Sequence, residues 1–324
     1  MSQDDDYRTC WCCSNCVGRK RVCGRFAVDV IIWIIVGAPV LYLYKASVPY
    51  RRGFFCNDDS LRYPYKENTI SDDLLLLIGF SLPLVVFLLN ELERFRVTRN
   101  SDNIYKYIVV FVKISCAYAF GFTMIELVIQ GAKPAIGRLR PHFFDVCKPD
   151  FSQINCDKGY ITDYNCTDTH FSGSVHRQSR LSFPSGHAGF AMYSAVFTSL
   201  YMEKQVTLQC SAVAKCFTQI AMVSLALMCA VTRLYDNKHH VTDIVAGMLL
   251  GVVMGVYMFK ALGEKAIRSR QLHLKIPFIK RLRRQDTSTP TPLLSQGCSS
   301  ASNTGTSLNQ FFINGGVNSK LSSV

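Results

Sequence analysis

The chain has 324 residues, of which 49% are hydrophobic and 18% are charged. Soluble domains usually carry about a quarter charged residues, so this composition argues against an ordinary soluble enzyme and against a disordered protein. The formal net charge is +13, which suits either nucleic acid or a membrane surface as a partner. The positions of the charges have to decide between these two partners.

Six apolar runs follow one another along the chain, and they approach or exceed the length needed to cross about 30 Å of hydrocarbon. They are Phe26–Tyr44, Leu74–Asn90, Tyr107–Gln130, His187–Met202, Ala212–Val231 and Val241–Phe259. The fourth run is short, so we expect its helix to begin before His187. One such run could be a buried helix of a soluble protein, but six predict an all-α integral membrane protein with six transmembrane helices.

Lys and Arg concentrate before the first run, after the second and after the sixth, three flanks that six spans place on one face. The positive-inside rule makes this face cytoplasmic, together with both termini. The basic charge therefore indicates topology and attraction to anionic lipid, and we predict no nucleic-acid partner. The opposite face carries loops at about 45–73, 131–186 and 232–240. The glycosylation sequon at Asn165 lies in the longest of them and agrees with this topology.

Composition divides the chain into three parts. Residues 1–25 are polar, and the first apolar run is long enough to stay as an anchor, so we expect a cytoplasmic Cys-rich segment without a cleavable signal peptide. Residues 26–260 form the predicted six-span domain. Residues 261–324 are first basic and then rich in Ser, Thr, Asn and Gly, which predicts a cytoplasmic, disordered tail.

Cysteines occur in two places with different predicted chemistry. On the cytoplasmic side, cysteines beside basic residues at the membrane edge are candidates for palmitoylation, with unmodified thiols an equal alternative and a zinc site a weaker one. These candidates are Cys10, Cys12, Cys13 and Cys16. In the outer loops, where disulfides can form, the chain carries Cys56, Cys147, Cys156 and Cys166. Four cysteines allow three pairings, and we expect a bridge between Cys147 and Cys156.

A first outer segment follows the third apolar run and carries Lys133, Arg138 and Arg140 within eight residues. Such clusters usually reflect topology or contact with lipid headgroups, but the positive-inside rule disfavours this one on the outer face. Binding of an anion is the simplest reason for it, because the forked donors of arginine fit phosphate oxygens.

A second segment, Pro184-Ser185-Gly186-His187, precedes the fourth run. Gly186 permits close approach of backbone N–H groups to a ligand, and the helix N-terminus that follows favours an anion. Ser185 adds a hydroxyl donor, and His187 can give or take a proton near neutral pH. Alone, this sequence could equally be a turn that caps a helix.

A third segment, from Thr232 to Asp243, leads into the sixth run. If the helix has begun by His239, Asp243 lies one turn further on the same face and can orient the imidazole and stabilise its charged form. This pattern suits a histidine nucleophile. The alternative, a solvated His and Asp at a helix end, has equal weight for this segment alone.

All three segments lie on the exoplasmic face at the end of a predicted span, which predicts an active site at that membrane surface. They resemble the lipid phosphate phosphatases of the type 2 phosphatidic acid phosphatase superfamily, whose pattern is K-x6-R-P, then P-S-G-H, then S-R-x5-H-x3-D. Lys133–Pro141, Pro184–His187 and Arg233–Asp243 fit the three elements, and Thr232 stands where the pattern has Ser. The resemblance covers about residues 26–260.

The resemblance implies a two-step hydrolysis of a lipid phosphomonoester. His239 would attack phosphorus to form a phosphohistidine, Asp243 would orient it, and His187 would protonate the leaving group and then activate water. Five residues would bind the phosphoryl group: Lys133, Arg140, Ser185, Gly186 and Arg233. The family needs no metal or other cofactor, and the outer face has no dense carboxylate cluster for one. Its substrates are phosphatidate, lysophosphatidate, sphingosine 1-phosphate and ceramide 1-phosphate.

Three alternatives stay open. The first is a catalytically silent scaffold or lipid-phosphate-binding protein of the same fold. The second is a transporter, because Lys113 and Glu126 lie within the third run and charges inside a membrane are functional candidates. The third is another phosphatase or a lipid phosphotransferase. The plasma membrane is the expected location, and the family's habit of self-association makes a homo-oligomer a candidate assembly.

Overall fold

The computed structural model describes residues 27–97, 104–205 and 212–268. The expected tail beyond residue 268 lies outside them, as do the palmitoylation candidates Cys10, Cys12, Cys13 and Cys16. The described part is mostly helical, as the predicted all-α class requires, with only two strands of two residues each.

The elements follow one another along the chain with the long helices at the predicted apolar runs. The helices are α1 (Ala27–Ala46), α2 (Asp72–Val97), α3 (Tyr105–Ile136), α4 (Phe143–Cys147), α5 (Gly173–Gln178), α6 (Gly186–Gln205), α7 (Ala212–Tyr235) and α8 (Val241–Met258). The strands are β1 (Phe54–Phe55) and β2 (Tyr160–Ile161). A π-helical turn at Phe259–Gly263 extends α8. As expected, α6 begins before His187.

Within the described ranges, five helices are long and apolar enough to cross a membrane: α1, α2, α3, α7 and α8. The helix α6 spans about 30 Å at 1.5 Å per residue, but it is less apolar than these five. It occupies the centre of the bundle and packs against α2, α3, α7 and α8. Its polar Ser194 and Thr198 are buried there. The side chains of α6 therefore face other parts of the protein, whereas the peripheral helices present apolar side chains to their surroundings.

Close packing of α6 on α8 brings two predicted site segments together. A Cβ on Gly247 would lie 2.4 Å from the carbonyl oxygen of Ser185, and a Cβ on Gly251 would lie 2.4 Å from that of Gly189. Only glycine permits backbones to approach this closely. The amide of Ser185 also donates to the carbonyl oxygen of Asp243 at 3.0 Å. The N-terminus of α6 is therefore fixed against the first turn of α8.

The loops at 47–71 and 137–185 form a small cap. Its strands β1 and β2 pair antiparallel, with Phe54 opposite Ile161. An aromatic cluster fills its interior: Phe54, Phe143, Phe144 and Tyr164. Asn165, the glycosylation candidate, is exposed on this cap.

Two disulfides close the cap, and they join Cys56 to Cys156 and Cys147 to Cys166. The expected Cys147–Cys156 pairing is wrong. Pairing of β1 with β2 places Cys56 beside Cys156, while a backbone bridge between Pro149 and Cys166 brings Cys166 to Cys147. Both contacts are tertiary, so cysteine spacing alone could not distinguish among the three pairings.

Replacing Cys56 with serine is expected to lower the melting temperature of the detergent-solubilised protein by several degrees. The Cys56–Cys156 bridge closes a loop with a sequence separation of 100, and chain-entropy models assign such a loop about 4–5 kcal/mol. Thermal unfolding of Cys56→Ser beside wild type measures the effect. Peptide mapping without reductant is the control, and recovery of Cys147 bound to Cys156 would contradict this connectivity.

Candidate active site

A cavity of about 530 Å³ opens between the cap and the helices. Six of the eight predicted catalytic and phosphate-binding residues line it: Lys133, Arg140, Gly186, His187, Arg233 and His239. The other two, Ser185 and Asp243, are fully buried. The fold therefore brings the three sequence segments to one place.

The last turn of α3 supplies Lys133, and its Nζ lies against the N-terminus of α6. A Cβ on Gly186 would stand 3.4 Å from this nitrogen, so the absence of a side chain leaves space beside the cation. The helix then ends at Gly137, whose φ of 59° lies in the left-handed region. A Cβ at Gly137 would also overlap the carbonyl oxygen of Tyr50, and the resulting sharp turn leads the chain back toward the site.

Arg140 carries a donor that nothing in the described residues satisfies. Its backbone amide donates to the Ser179 carbonyl at 2.8 Å, and its Nη2 donates weakly to the Leu181 carbonyl at 3.4 Å. The Nε atom is buried without an acceptor among the described residues. Burial lowers the pKa of Arg140 to about 10, so it remains charged at neutral pH. Buried donors are almost always bonded, and an anion in the cavity would complete this one.

Arg233 lies in the last turn of α7 and is held by neighbours that the sequence did not indicate. Its Nη2 donates to Asp236 at 2.8 Å, and its Nη1 donates to the side-chain oxygen of Asn68 at 3.1 Å. Asp236 also accepts from the hydroxyl of Thr69 at 2.6 Å. Thr232, which replaces the family's Ser, donates its hydroxyl to the Cys229 carbonyl at 2.7 Å. The guanidinium is therefore fixed in direction, with part of its charge already balanced.

His239 lies in the turn between α7 and α8 with its ring orientation set by a backbone carbonyl. Its Nδ1 is 2.6 Å from the carbonyl oxygen of Ser182 and 3.8 Å from Asp243 Oδ2. A carbonyl only accepts, so Nδ1 carries the proton and Nε2 keeps a free lone pair. Burial lowers the pKa of His239 to about 3, which keeps the ring neutral at physiological pH. The direct partner of the ring is thus Ser182 rather than the expected Asp243.

Asp243 joins the segments around His239. Its carboxylate accepts from the Ser182 hydroxyl at 2.6 Å, the His240 amide at 2.9 Å and Arg138 Nη1 at 2.5 Å. His240 Nδ1 lies 3.3 Å from the same carboxylate. Of the two adjacent histidines, His239 lines the cavity, whereas His240 caps α8. Sequence reasoning missed Ser182 altogether and assigned Arg138 no partner.

His187, in the first turn of α6, has a carbonyl on one side and a carboxylate on the other. Its Nε2 donates a hydrogen bond to the Ile70 carbonyl oxygen at 3.0 Å. Its Nδ1 lies 3.6 Å from Asp72 Oδ1. Asp72 begins α2 and lines the same cavity. No spacing in the sequence links Asp72 to His187, because their contact depends on how α2 packs against α6.

Lys238 is a further cation in the cavity wall that the sequence reasoning did not select. Its Nζ lies 3.7 Å from the centre of the Tyr65 ring. Burial and the positive charge of Arg140 lower the pKa of Lys238 to about 8. Its position directly before His239 is the feature of the sequence that could have indicated a place in the site. Across the described ranges, no three His, Cys, Asp or Glu side chains form a set that could hold a metal, and independence from metals remains a prediction.

Comparison with known proteins gives consistent matches. The model of the PAP2 superfamily matches residues 114–266. Phospholipid phosphatase 1 of Mus musculus is 35% identical over 235 residues, which cover 71% of this chain and 81% of that protein. Phospholipid phosphatase 2 of Rattus norvegicus is 34% identical over 233 residues, 70% of this chain and 82% of that protein. A putative phosphatidate phosphatase of Drosophila melanogaster is 33% identical over 255 residues, 72% of this chain and 67% of that protein. No solved structure gives a significant match.

Proposed function

Because this chain belongs to the PAP2 superfamily, we propose that it is a lipid phosphate phosphatase that hydrolyses membrane phosphomonoesters without a metal ion. Its proposed substrates are phosphatidate, lysophosphatidate, sphingosine 1-phosphate and ceramide 1-phosphate. The names of its relatives support a lipid phosphate as substrate. The observation that carries the proposal is the neutral His239, whose free Nε2 belongs to a cavity lined with cations.

In the first step, Nε2 of His239 attacks phosphorus, and the bond from phosphorus to the lipid oxygen breaks. The proton stays on Nδ1, which continues to donate it in a hydrogen bond to the Ser182 carbonyl. The phosphorylated ring therefore becomes cationic, and the carboxylate of Asp243 at 3.8 Å stabilises that charge. A protonated His187 gives its proton to the leaving alkoxide. Asp72 Oδ1 lies 3.6 Å from Nδ1 of His187, the nitrogen that the bond between Nε2 and the Ile70 carbonyl leaves available for this transfer.

In the second step, the neutral His187 accepts a proton from water, and the resulting hydroxide attacks the phosphohistidine. The bond from phosphorus to Nε2 of His239 breaks, and inorganic phosphate leaves. Charge on the phosphoryl oxygens is met by fixed cations and by the backbone of Gly186 at the N-terminus of α6. These cations are Lys133, Arg140, Arg233 and Lys238. Ser185 supports the same turn from its buried position.

The protein is an integral, multi-pass membrane protein, and we extend this to a topology. In it α6 is the sixth span, both termini are cytoplasmic, and the cap with its cavity faces the exoplasmic side of the plasma membrane. The basic flanks in the sequence and the exposed Asn165 on the cap support this orientation. A headgroup phosphate could then reach the cavity while the lipid tails remain in the bilayer.

Lys238 is expected to make substrate binding sensitive to alkaline pH. Its pKa of about 8 means that its charge is present below that pH and is lost above it, so the KM should rise as pH increases through about 8. Lys238→Arg should remove this rise, since a guanidinium stays charged to above about pH 12. Steady-state kinetics between neutral pH and pH 9 measure it.

Lys66 supplies the matched control, because its Nζ also packs over a tyrosine ring, that of Tyr235, but it does not line the cavity. Lys66→Met should keep the wild-type pH profile. An alkaline rise in KM that persists in Lys238→Arg would contradict the assignment to Lys238.

The direct test of the proposed function is release of inorganic phosphate from short-chain phosphatidate by the purified protein in mild detergent and EDTA. We expect continuous release that chelation does not reduce. A well-folded protein that releases no phosphate from any of several lipids would contradict the proposal. That result would favour a catalytically silent scaffold or lipid-phosphate-binding protein of the same fold.

A further inference from the structure

The cavity extends beyond its cationic end into an apolar half. Helices α1, α2, α3 and α6 form this part, and the side chains that line it include Val40, Leu41, Leu75, Leu76, Phe122 and Phe190. Such a lining suits the first carbons of a lipid whose phosphate lies at the cationic end. Polar residues in an otherwise apolar lining therefore need a reason of their own.

Glu126 and Gln130 of α3 line this same cavity together with Lys133. Gln130 donates from Nε2 to Glu126 Oε2 at 2.9 Å. Spacings of four and then three residues place all three on one helix face. The Cα atoms of Glu126 and Lys133 are about 10 Å apart along the axis, and the Lys133 side chain leans back toward Glu126 because helical Cα–Cβ bonds tilt toward the N-terminus. The carboxylate is thus closer to a phosphate bound by Lys133 than the Cα separation implies.

A carboxylate that shares a partly enclosed cavity with a phosphomonoester is repelled by it unless a cation lies between them. Asp72 of α2 lines the cavity as well, but it has His187 as its neighbour at 3.6 Å, whereas Glu126 has the uncharged Gln130. The cations at the other end would be engaged by phosphoryl oxygens. Arg177 also lines the cavity, but its guanidinium donates to the carbonyl oxygens of Ser47 and Tyr44. Once a bound phosphate engages Lys133, an ammonium group on the substrate would supply positive charge beside Glu126.

We propose that Glu126, oriented by Gln130, binds a primary ammonium group that the substrate carries a few bonds from its phosphate. This inference rests on the proposed function and narrows it: the favoured class is the 2-amino-1-alkyl phosphates, to which sphingosine 1-phosphate belongs. Lipids with an ester, amide or hydroxyl at that carbon lack the positive charge. We therefore expect a lower kcat/KM for them.

The test compares kcat/KM for two substrates with the same alkyl chain and phosphate, one with a 2-amino group and the other with a 2-hydroxy group. Wild type should prefer the amine by about tenfold, the typical value of one charge-assisted hydrogen bond. Glu126→Gln should bring the ratio close to one. Glu93→Gln, the same substitution at a position of α2 that does not line the cavity, should keep the wild-type ratio.

Equal turnover of both substrates by wild type would overturn the role of Glu126 and leave the phosphatase proposal standing. A proportional loss on both substrates in Glu126→Gln would also overturn it, because a merely structural role lowers both rates together. A folded wild type that hydrolyses neither substrate would overturn both proposals.

If Glu126→Gln fails to fold, product inhibition of wild type gives the answer without a variant. The long-chain 2-amino alcohol should inhibit phosphatidate hydrolysis about tenfold more strongly than the matched diol. Equal inhibition by the two alcohols would overturn the inference.

Discussion

His239→Ala is expected to lower kcat for phosphate release on the order of 10⁴-fold or more, because removal of a nucleophile leaves only the residual catalysis of the binding groups. The adjacent His240 is the matched control. Its imidazole contacts Asp243 at 3.3 Å and caps α8, so His240→Ala should retain activity within about tenfold of wild type. Phosphate release in EDTA, with melting temperatures measured beside it, gives both values.

The reverse ranking would contradict the assignment of the nucleophile. If His240→Ala were inactive and His239→Ala active, the Ser182 contact would be a structural feature of the turn and Nε2 of His239 would have no chemical role. Equal activity in wild type and His239→Ala would indicate a contaminating phosphatase, which the double variant His239→Ala/His240→Ala would expose by releasing phosphate at the same rate.

Arg140→Lys is expected to reduce kcat/KM by on the order of 10²-fold, the usual cost of one donor aimed at developing charge. The substitution keeps a positive charge but removes the buried Nε, which has no acceptor among the described residues, and the fork that two phosphoryl oxygens would share. Kinetics on short-chain phosphatidate measure the loss.

Arg180→Lys is the matched control for Arg140→Lys. Arg180 belongs to the same cap, but it packs over the rings of Phe143 and Tyr164 and does not line the cavity. The conservative change there should affect stability more than kcat/KM. Full activity of Arg140→Lys would show that positive charge alone suffices at this position. It would contradict a role for the buried Nε in binding the phosphoryl group.

The helices were predictable because a bilayer-length apolar run leaves few alternatives to a helix. Thus α2 and α3 contain their predicted runs. The helix α6 departs from the expected apolarity for a physical reason. It is surrounded by other helices, so its polar residues are buried against protein, where the Ser194 hydroxyl donates to the Gly79 carbonyl oxygen at 3.2 Å. Its hydropathy therefore need not match that of a helix exposed to lipid.

The site was predictable at residues whose chemistry is local and unpredictable where it depends on packing. The proposed roles of Lys133, His187 and His239 depend on their own side chains, and all three line the cavity. The Ser182 carbonyl cannot be foreseen as the partner of His239, because any residue supplies a carbonyl and only the fold places this one 2.6 Å from the ring. The same holds for Asp72, which reaches His187 only through the packing of α2 on α6.

The most direct test of the account is to trap the covalent intermediate. The protein would be mixed with a substrate radiolabelled in its phosphate, quenched in alkali and digested, and the labelled peptide would be sequenced by mass spectrometry. A phosphohistidine survives base and is lost in acid, so we predict an acid-labile label on the peptide that contains His239 and none in His239→Ala. An acid-stable label on a serine or threonine, or turnover by wild type without any trapped label, would contradict nucleophilic attack by His239.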